Sequence, residues 1–457
     1  MSPPHQHSGR NSALNIILLS GGSGKRLWPL SNEVRSKQFL KIFKKADGSH
    51  ESMVQRMYRM IREVDASALV MIATSENQVT SIRSQLGDSV GISIEPCRRD
   101  TFPAIALATA YLHDKQGVDA DETVVVCPVD PYVESDYFKM LEKLSVQAAK
   151  GEANLVLMGI EPTYPSEKYG YIIPTSKDAV ATVETFKEKP DVATAEKYIA
   201  SGALWNGGVF AYKLSYVLDI AERVLGSADY EYLFNSYSTL TKISFDYAVV
   251  EKEEKIQVMR FAGQWKDLGT WNTLTEAMSD EVAGNAVAVD CSNTHVINEL
   301  QIPLIALGVE NLAIAATPDG ILVTDKRKSD KLKDHVVDQR PMVEKRGWGE
   351  YQVLDYRIQA DGQNFLTKHL IITPGQHISY QRHKYRSEIW AFVDGAGQLI
   401  LDGEVKPVSR GEMAFIKPGT KHAIKADTEL HIIEVQVGDE LTEEDIERLE
   451  WDWDSVK

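Results

Sequence analysis

The stretch that decides the fold is Asn15-Ile16-Ile17-Leu18-Leu19-Ser20-Gly21-Gly22-Ser23-Gly24-Lys25-Arg26-Leu27-Trp28-Pro29. Its apolar start predicts a buried strand over Asn15 to Leu19. The glycines that follow let backbone N–H groups turn inward and approach phosphate oxygens. Lys25 and Arg26 come at once, and Lys37 stands one loop later in Ser36-Lys37-Gln38-Phe39. Neither common phosphate fingerprint is present. A P-loop requires glycine where Leu19 stands and Ser or Thr where Arg26 stands; a dinucleotide fingerprint requires glycine where Leu27 stands. Three cations beside flexible backbone suit a triphosphate. The plainer alternative is a solvated turn with ordinary surface lysines.

Similar apolar runs recur at Leu69 to Ala73, Thr123 to Cys127 and Leu155 to Met158, with helical stretches between them. Ser135 can cap one helix, whose Phe138, Met140, Leu141, Leu144 and Ala148 recur at helical spacing. Pro103 opens another, at a favoured first-turn position. This alternation predicts an α/β, Rossmann-like domain with a mostly parallel sheet covered on both faces. Ligands then bind beyond the C-terminal ends of the strands.

Past residue 280 the helical period disappears. Thr294 to Ile297, Leu304 to Val309, Leu312 to Ala316 and Ile321 to Val323 read as small strands, and the charged run Asp325 to Asp334 as a linker. From about residue 340 turn dipeptides such as Pro374-Gly375 and Asp402-Gly403 punctuate an all-β pattern, which predicts a jelly-roll barrel. Thr442 to Leu449 reads as an acidic helix start. The expected organisation is a disordered tail over 1–14, a first domain over 15–280, a small strand-rich segment and linker over 281–335, and a barrel over 336–457.

A chain of 457 residues is too long for one ordinary core. No apolar run approaches the roughly 20 residues of a membrane span, and the polar N-terminus does not read as a signal peptide. Cys97, Cys127 and Cys291 form no CxxC pair, which suits a reducing compartment. A cytoplasmic protein without membrane partners is expected. The net charge of −16 argues against broad nucleic-acid binding, and it makes local clusters of cations informative.

Gly21-Gly22-x-Gly24-x-Arg26-Leu27-Trp28-Pro29-Leu30-Ser31, with Lys37-Gln38-Phe39-Leu40 downstream, resembles the signature of sugar-phosphate nucleotidylyltransferases. Trp28 and Gln38 resemble the mannose-1-phosphate guanylyltransferases in particular. The resemblance implies transfer of GMP from GTP to mannose-1-phosphate, giving GDP-mannose for polysaccharide biosynthesis, and a tendency to homodimers. It implies that Asp130, closing Cys127-Pro128-Val129-Asp130, and Asp267, in a turn of Trp265-Lys266-Asp267-Leu268-Gly269, share Mg²⁺. That ion takes few protein ligands and keeps phosphate oxygens and waters. Val129 and Pro131 flank the first aspartate where the family often has Ala and His.

The run Glu95-Pro96-Cys97-Arg98-Arg99-Asp100-Thr101-Phe102-Pro103-Ala104 resembles the base-side segment, with Asp100 replacing Asn and Phe102 replacing Ala. Glu95 or Asp100 would accept from guanine N–H groups; a helix start capped by Thr101 is the alternative, and both can hold. On the sugar side, Gly170 would bring backbone close to a hydroxyl-rich ligand. Glu188 would accept from sugar hydroxyls, Lys189 would reach the sugar phosphate, and Asn206 would both donate and accept. Asp246 to Lys252 would line the same pocket. Lys25 and Arg26 would steady the leaving pyrophosphate, and Lys189 and Lys37 the attacking and transferred phosphates.

Residues 340–457 resemble the cupin half of the long, two-activity members of this family, which isomerises mannose-6-phosphate and fructose-6-phosphate. Gly375, Gln381, His383, Arg386, Glu388, Trp390 and Gly395 fit the first cupin motif, and Gly411, Gly419 and His422 the second. His383, Glu388 and His422, with Gln381, would hold zinc or a similar divalent metal. Tyr385 stands where a second histidine is usual, Lys417 replaces a proline, and Trp451-Asp452-Trp453 lacks the usual Tyr-Gly-Arg close. A structural barrel is the plainer alternative. A non-catalytic sugar-nucleotide sensor is a third reading, which should have lost Arg26, Lys37 or one of the two aspartates.

Overall fold

The computed structural model of the chain describes residues 13–22, 24–32, 34–337, 340–358, 364–450 and 452–456. Most of the expected N-terminal tail lies outside them. Leu14, assigned to that tail, is buried, and its N–H donates to Asp65 Oδ2 at 2.9 Å. The chain divides into two compact units. One runs to Leu27 and resumes from Arg35 to Asp280; the other comprises Trp28–Val34 and Glu281–Lys457.

The first unit is built on a nine-stranded sheet: β1 Asn15–Leu19, β2 Leu69–Ser75, β3 Gly91–Glu95, β4 Thr123–Pro128, β5 Leu155–Ile160, β6 Tyr171–Pro174, β7 Val180–Lys187, β8 Leu204–Lys213 and β9 Ile256–Phe261. Their order is β3-β2-β1-β4-β8-β5-β9-β7-β6. The expected parallel pairing holds for β3-β2-β1-β4 and for β5-β9. The sheet as a whole is mixed, because β8 runs antiparallel to both β4 and β5. Burial on both faces gives a strand an apolar sequence but does not record its direction.

Strand alternation sorts the core into two layers. Ile17, Met71, Val124 and Val126 pack with helix Thr101–Asp114 on one face. Ile16, Leu18, Val70, Ile72 and Val125 pack with Met53–Val64 and Ser135–Ala149 on the other. Ser52 and Gln55 form a reciprocal capping box at the start of Met53–Val64. Ser135 is the first residue of its helix rather than its cap, which is Glu134.

In the second unit, short strands pair in parallel. Val282–Gly284 pairs with His295–Asn298, which pairs with Leu312–Thr317; Ala286–Val289 pairs with Leu304–Leu307. Trp28–Val34 joins this part: Thr317 Oγ1 donates to Pro29 O at 3.2 Å, and Asn32 Nδ2 to Asp319 Oδ2 at 2.8 Å. The expected linker is a 3-10 helix, Lys326–Asp334, that buries Lys326 and Ser329.

The barrel consists of a six-stranded and a five-stranded sheet around Tyr351, Leu370, Trp390, Phe392, Leu430 and Ile432. The expected acidic helix is absent. Glu443–Asp445 makes one 3-10 turn, and Ile446–Glu450 is a strand paired with Tyr380–His383. An open sheet edge overrides the local helical preference there. Among the described residues no helix is long and apolar enough to cross a membrane.

Candidate active site

Two segments distant in sequence build the acidic centre. Asp130 follows β4 at the sheet's C-terminal edge, where Val129 N–H donates to Leu19 O at 3.1 Å. Asp267 is the last residue of a three-residue strand, Trp265–Asp267, not of a turn as expected. That strand pairs antiparallel with Pro131–Val133, with Asp267 opposite Pro131. The register therefore delivers the second carboxylate beside the first. Lys37 Nζ lies 2.9 Å from Asp130 Oδ2 and 3.6 Å from Asp267 Oδ1, and donates to Leu268 O at 3.4 Å. Burial acts against the Lys37 ammonium, but the two carboxylates outweigh it and raise its pKa above the ordinary value.

The glycine-rich loop opens where β1 ends. Ser20 N–H donates to Ala73 O at 2.9 Å, after which the chain leaves the sheet. Gly22 (φ 132°) and Gly24 (φ 66°) occupy backbone conformations that side chains disfavour. Lys25–Leu27 is a 3-10 turn with Arg26 exposed, close enough to Lys37 for its charge to oppose the raised pKa.

The residues expected on the sugar side form a second cluster in the same unit. Asn206 Nδ2 donates to Asp246 Oδ1 at 2.7 Å, its backbone N–H donates to Gly170 O at 2.8 Å, and its Oδ1 accepts from Gly208 N at 3.0 Å. A Cβ on Gly170 would lie 2.5 Å from Glu188 Oε2, so only glycine leaves that carboxylate in place. Lys189 Nζ pairs with Glu188 Oε1, and its backbone sits at φ 45°, a region that costs a non-glycine residue about 1–2 kcal/mol. Burial, then the neighbouring Glu188, pushes the Asp246 carboxyl up to about 6. Asp246 is the residue that motif reading placed only loosely; its mixed segment, Asp246 to Lys252, has no periodicity that marks one side chain.

In the segment expected to face the base, Glu95 Oε2 accepts from Tyr237 Oη at 2.8 Å, and burial raises its pKa. Asp100, not Thr101, caps the helix: its Oδ1 accepts from Thr101 N at 2.8 Å, with φ 70°. Thr101 Oγ1 instead accepts from Phe245 N at 2.8 Å, which ties this helix start to the segment bearing Asp246. Arg99 Nε donates to Tyr237 O at 3.3 Å.

The Nucleotidyl transferase family profile matches residues 15–283. The chain belongs to that family. A second profile, Mannose-6-phosphate isomerase C-terminal, matches residues 333–451 of this nucleotidyltransferase. The xanthan biosynthesis protein XanB of Xanthomonas campestris is 32% identical over 471 residues, spanning 95% of this chain and 97% of its own length. The mannose-1-phosphate guanylyltransferase RfbM of Salmonella typhimurium is 30% identical, spanning 95% and 96%. A Thermus thermophilus crystal structure, described as a mannose-1-phosphate geranyltransferase, is 30% identical with a TM-score of 0.59. It covers 71% of this chain and 98% of the other.

The nucleotidyltransferase carries a separate buried cluster in its barrel. His383 Nε2 lies 3.2 Å from His422 Nε2 and 3.1 Å from Glu388 Oε1; His422 Nε2 lies 3.7 Å from Glu388 Oε2. These three residues can offer ligand atoms within 4.8 Å of one another. Burial works to raise the Glu388 carboxyl, but His383, His422 and Arg386 hold it well below the usual range. Arg386 Nε donates to Glu388 Oε1 at 2.9 Å, and Gln436 Nε2 to the same oxygen at 3.3 Å. Gln381 pairs with His422 across the strands, while its Oε1 accepts from Ser379 Oγ at 3.0 Å. Tyr385 is exposed, with its N–H bonded to Asp445.

Proposed function

We propose that the first unit transfers GMP from GTP to mannose-1-phosphate, releasing pyrophosphate and forming GDP-mannose, as a cytoplasmic enzyme. The observation that carries this reading is the convergence of Asp130 and Asp267 on Lys37 at the rim where the glycine-rich loop leaves the sheet. The name of RfbM, mannose-1-phosphate guanylyltransferase, points the same way. The sensor reading is disfavoured, since Arg26, Lys37, Asp130 and Asp267 are all present.

The phosphate oxygen of the sugar attacks the α-phosphorus in line. A new P–O bond forms as the bond to the β-phosphate oxygen breaks, and the electron pair leaves with pyrophosphate. The nucleophile is already an anion, so the protein supplies positioning and charge neutralisation. Lys25 and Arg26 steady the departing pyrophosphate, and Lys37 sits against the transferred phosphate. Lys189 reaches the sugar phosphate; Glu188, Asn206 and Asp246 orient the hydroxyls. Glu95 and Asp100 accept from the guanine.

Asp130 and Asp267 suit Mg²⁺ by their chemistry: both converge on one cation, and their side chains are 33% and 34% exposed, which leaves room for waters and phosphate oxygens. When bound there, the ion would neutralise phosphate charge as the two anions approach.

A pH profile tests the sugar cluster. Asp246 takes up its proton near pH 6, where an ordinary aspartate would wait until about 4. The expected kcat/KM for mannose-1-phosphate therefore falls as pH drops through 6, while the carboxylate form holds above it. Asp246→Asn is expected to make that limb shallower, leaving only the part due to the sugar phosphate's own ionisation at about 6. A wild-type profile flat between pH 5 and 7 would contradict the role.

The barrel cluster favours a second activity, interconversion of mannose-6-phosphate and fructose-6-phosphate. Two imidazole nitrogens and a carboxylate oxygen gathered out of water fit zinc or a similar divalent metal. Fructose-6-phosphate turnover that chelation abolishes and added metal restores is the expected result. No turnover in metal-loaded protein would leave the barrel a structural part.

A further inference from the structure

Gln78 belongs to none of the motifs, yet it sits at the junction of two of them. It lies in the first turn of helix Glu76–Leu86 and is 1% exposed. Its Oε1 accepts from Ser20 Oγ at 3.2 Å, Thr74 Oγ1 at 2.9 Å and Gln38 Nε2 at 3.1 Å. Its Nε2 donates to Ser36 Oγ at 2.9 Å, and Gln38 Nε2 also donates to Ser20 Oγ at 3.1 Å. All five side chains are buried. Ser20 is the last residue before the glycine-rich loop; Ser36 and Gln38 flank Lys37 on either side. A single amide thus ties the root of the phosphate loop to both neighbours of the lysine. The same helix grips the segment again at Gln85, whose Nε2 donates to Phe39 O at 3.0 Å.

We infer that Gln78 is a positioning residue for phosphoryl transfer, holding the glycine-rich loop and Lys37 in one fixed register. The inference rests on the proposed role of Lys37. A lysine has a long, flexible side chain, so where its Nζ sits depends on where residues 36–38 are held. Buried hydrogen bonds inside a fully satisfied polar network hold position well, since each group left unpaired is penalised. Loss of the network leaves the phosphate loop and the lysine free to drift apart, and small misplacements of reacting groups cost large factors in rate.

A double-mutant cycle separates positioning from mere support. Gln78→Met keeps the length of the side chain and removes both polar ends. Pyrophosphate release is measured for wild type, Gln78→Met, Lys37→Met and the double variant, with KM for both substrates and a thermal midpoint for each. Gln78→Met is expected to lower kcat about tenfold while KM for the sugar phosphate stays within about twofold. In the Lys37→Met background the same change is expected to cost at most about threefold, because the lysine held in register with the loop is gone. An equal loss in both backgrounds, or a loss that tracks the unfolded fraction, would overturn the inference and leave Gln78 a packing residue. Wild-type activity in Lys37→Met would instead remove the role of Lys37 itself. Ser36→Ala, which removes only the acceptor of Gln78 Nε2, runs through the same cycle if Gln78→Met does not fold, with the same sign and a smaller effect expected.

Discussion

Asp130→Ala and Asp267→Ala are each expected to slow pyrophosphate release by about a thousandfold, roughly 4 kcal/mol in the barrier, with little change in thermal midpoint. The two effects separate because of where the carboxylates lie. Each is about one-third exposed, and removing one leaves the largely buried Lys37 paired with the other. Under the proposed mechanism the same carboxylates would hold the Mg²⁺ that neutralises two approaching phosphates, where charge placement dominates the barrier. Steady-state rates and melting curves of the two variants check this. A variant that keeps its rate would break the acidic centre; one that loses rate only by unfolding would reassign its aspartate to structure.

Gly170→Ala is expected to raise KM for the sugar phosphate ten- to a hundredfold, while KM for the triphosphate stays within about twofold. A Cβ there would lie 2.5 Å from Glu188 Oε2 and 2.8 Å from Phe186 Cζ, closer than atoms can approach. The backbone cannot retreat freely, because Gly170 O accepts from Asn206 N at 2.8 Å. Glu188 must therefore swing away, and the hydrogen bonds proposed for it to the sugar would go with it. Hydrogen bonds to a charged group contribute about 1.5–3 kcal/mol, which sets the expected range. Unchanged KM for the sugar phosphate, measured with both substrates varied independently, would place the sugar elsewhere.

Much of the candidate site could be named from the sequence because its residues come in dense local motifs. Glycines followed by Lys25 and Arg26, the aspartate after a buried strand, and the Glu188-Lys189 pair each advertise chemistry over a few positions. What escaped depends on long-range pairing. Asp267 is named by its motif, but its strand of only three residues is too short to show alternation, and its placement beside Asp130 comes from pairing with Pro131–Val133, distant in sequence. The antiparallel course of β8 is equally invisible, since strand direction leaves no mark on apolar content. Ile446–Glu450 carries helix-forming residues and becomes a strand because Tyr380–His383 offers it an edge. Gln78 gives no signal at all: one glutamine in a helix becomes informative only when four partners close around it.

Pyrophosphate release with Mg²⁺, across the four nucleoside triphosphates and a panel of hexose-1-phosphates, tests directly whether the two aspartates support guanylyl transfer. GTP with mannose-1-phosphate should be the fastest pair, and that rate should depend on both Asp130 and Asp267. Release from no pair, or a rate that survives the loss of both aspartates, would contradict it.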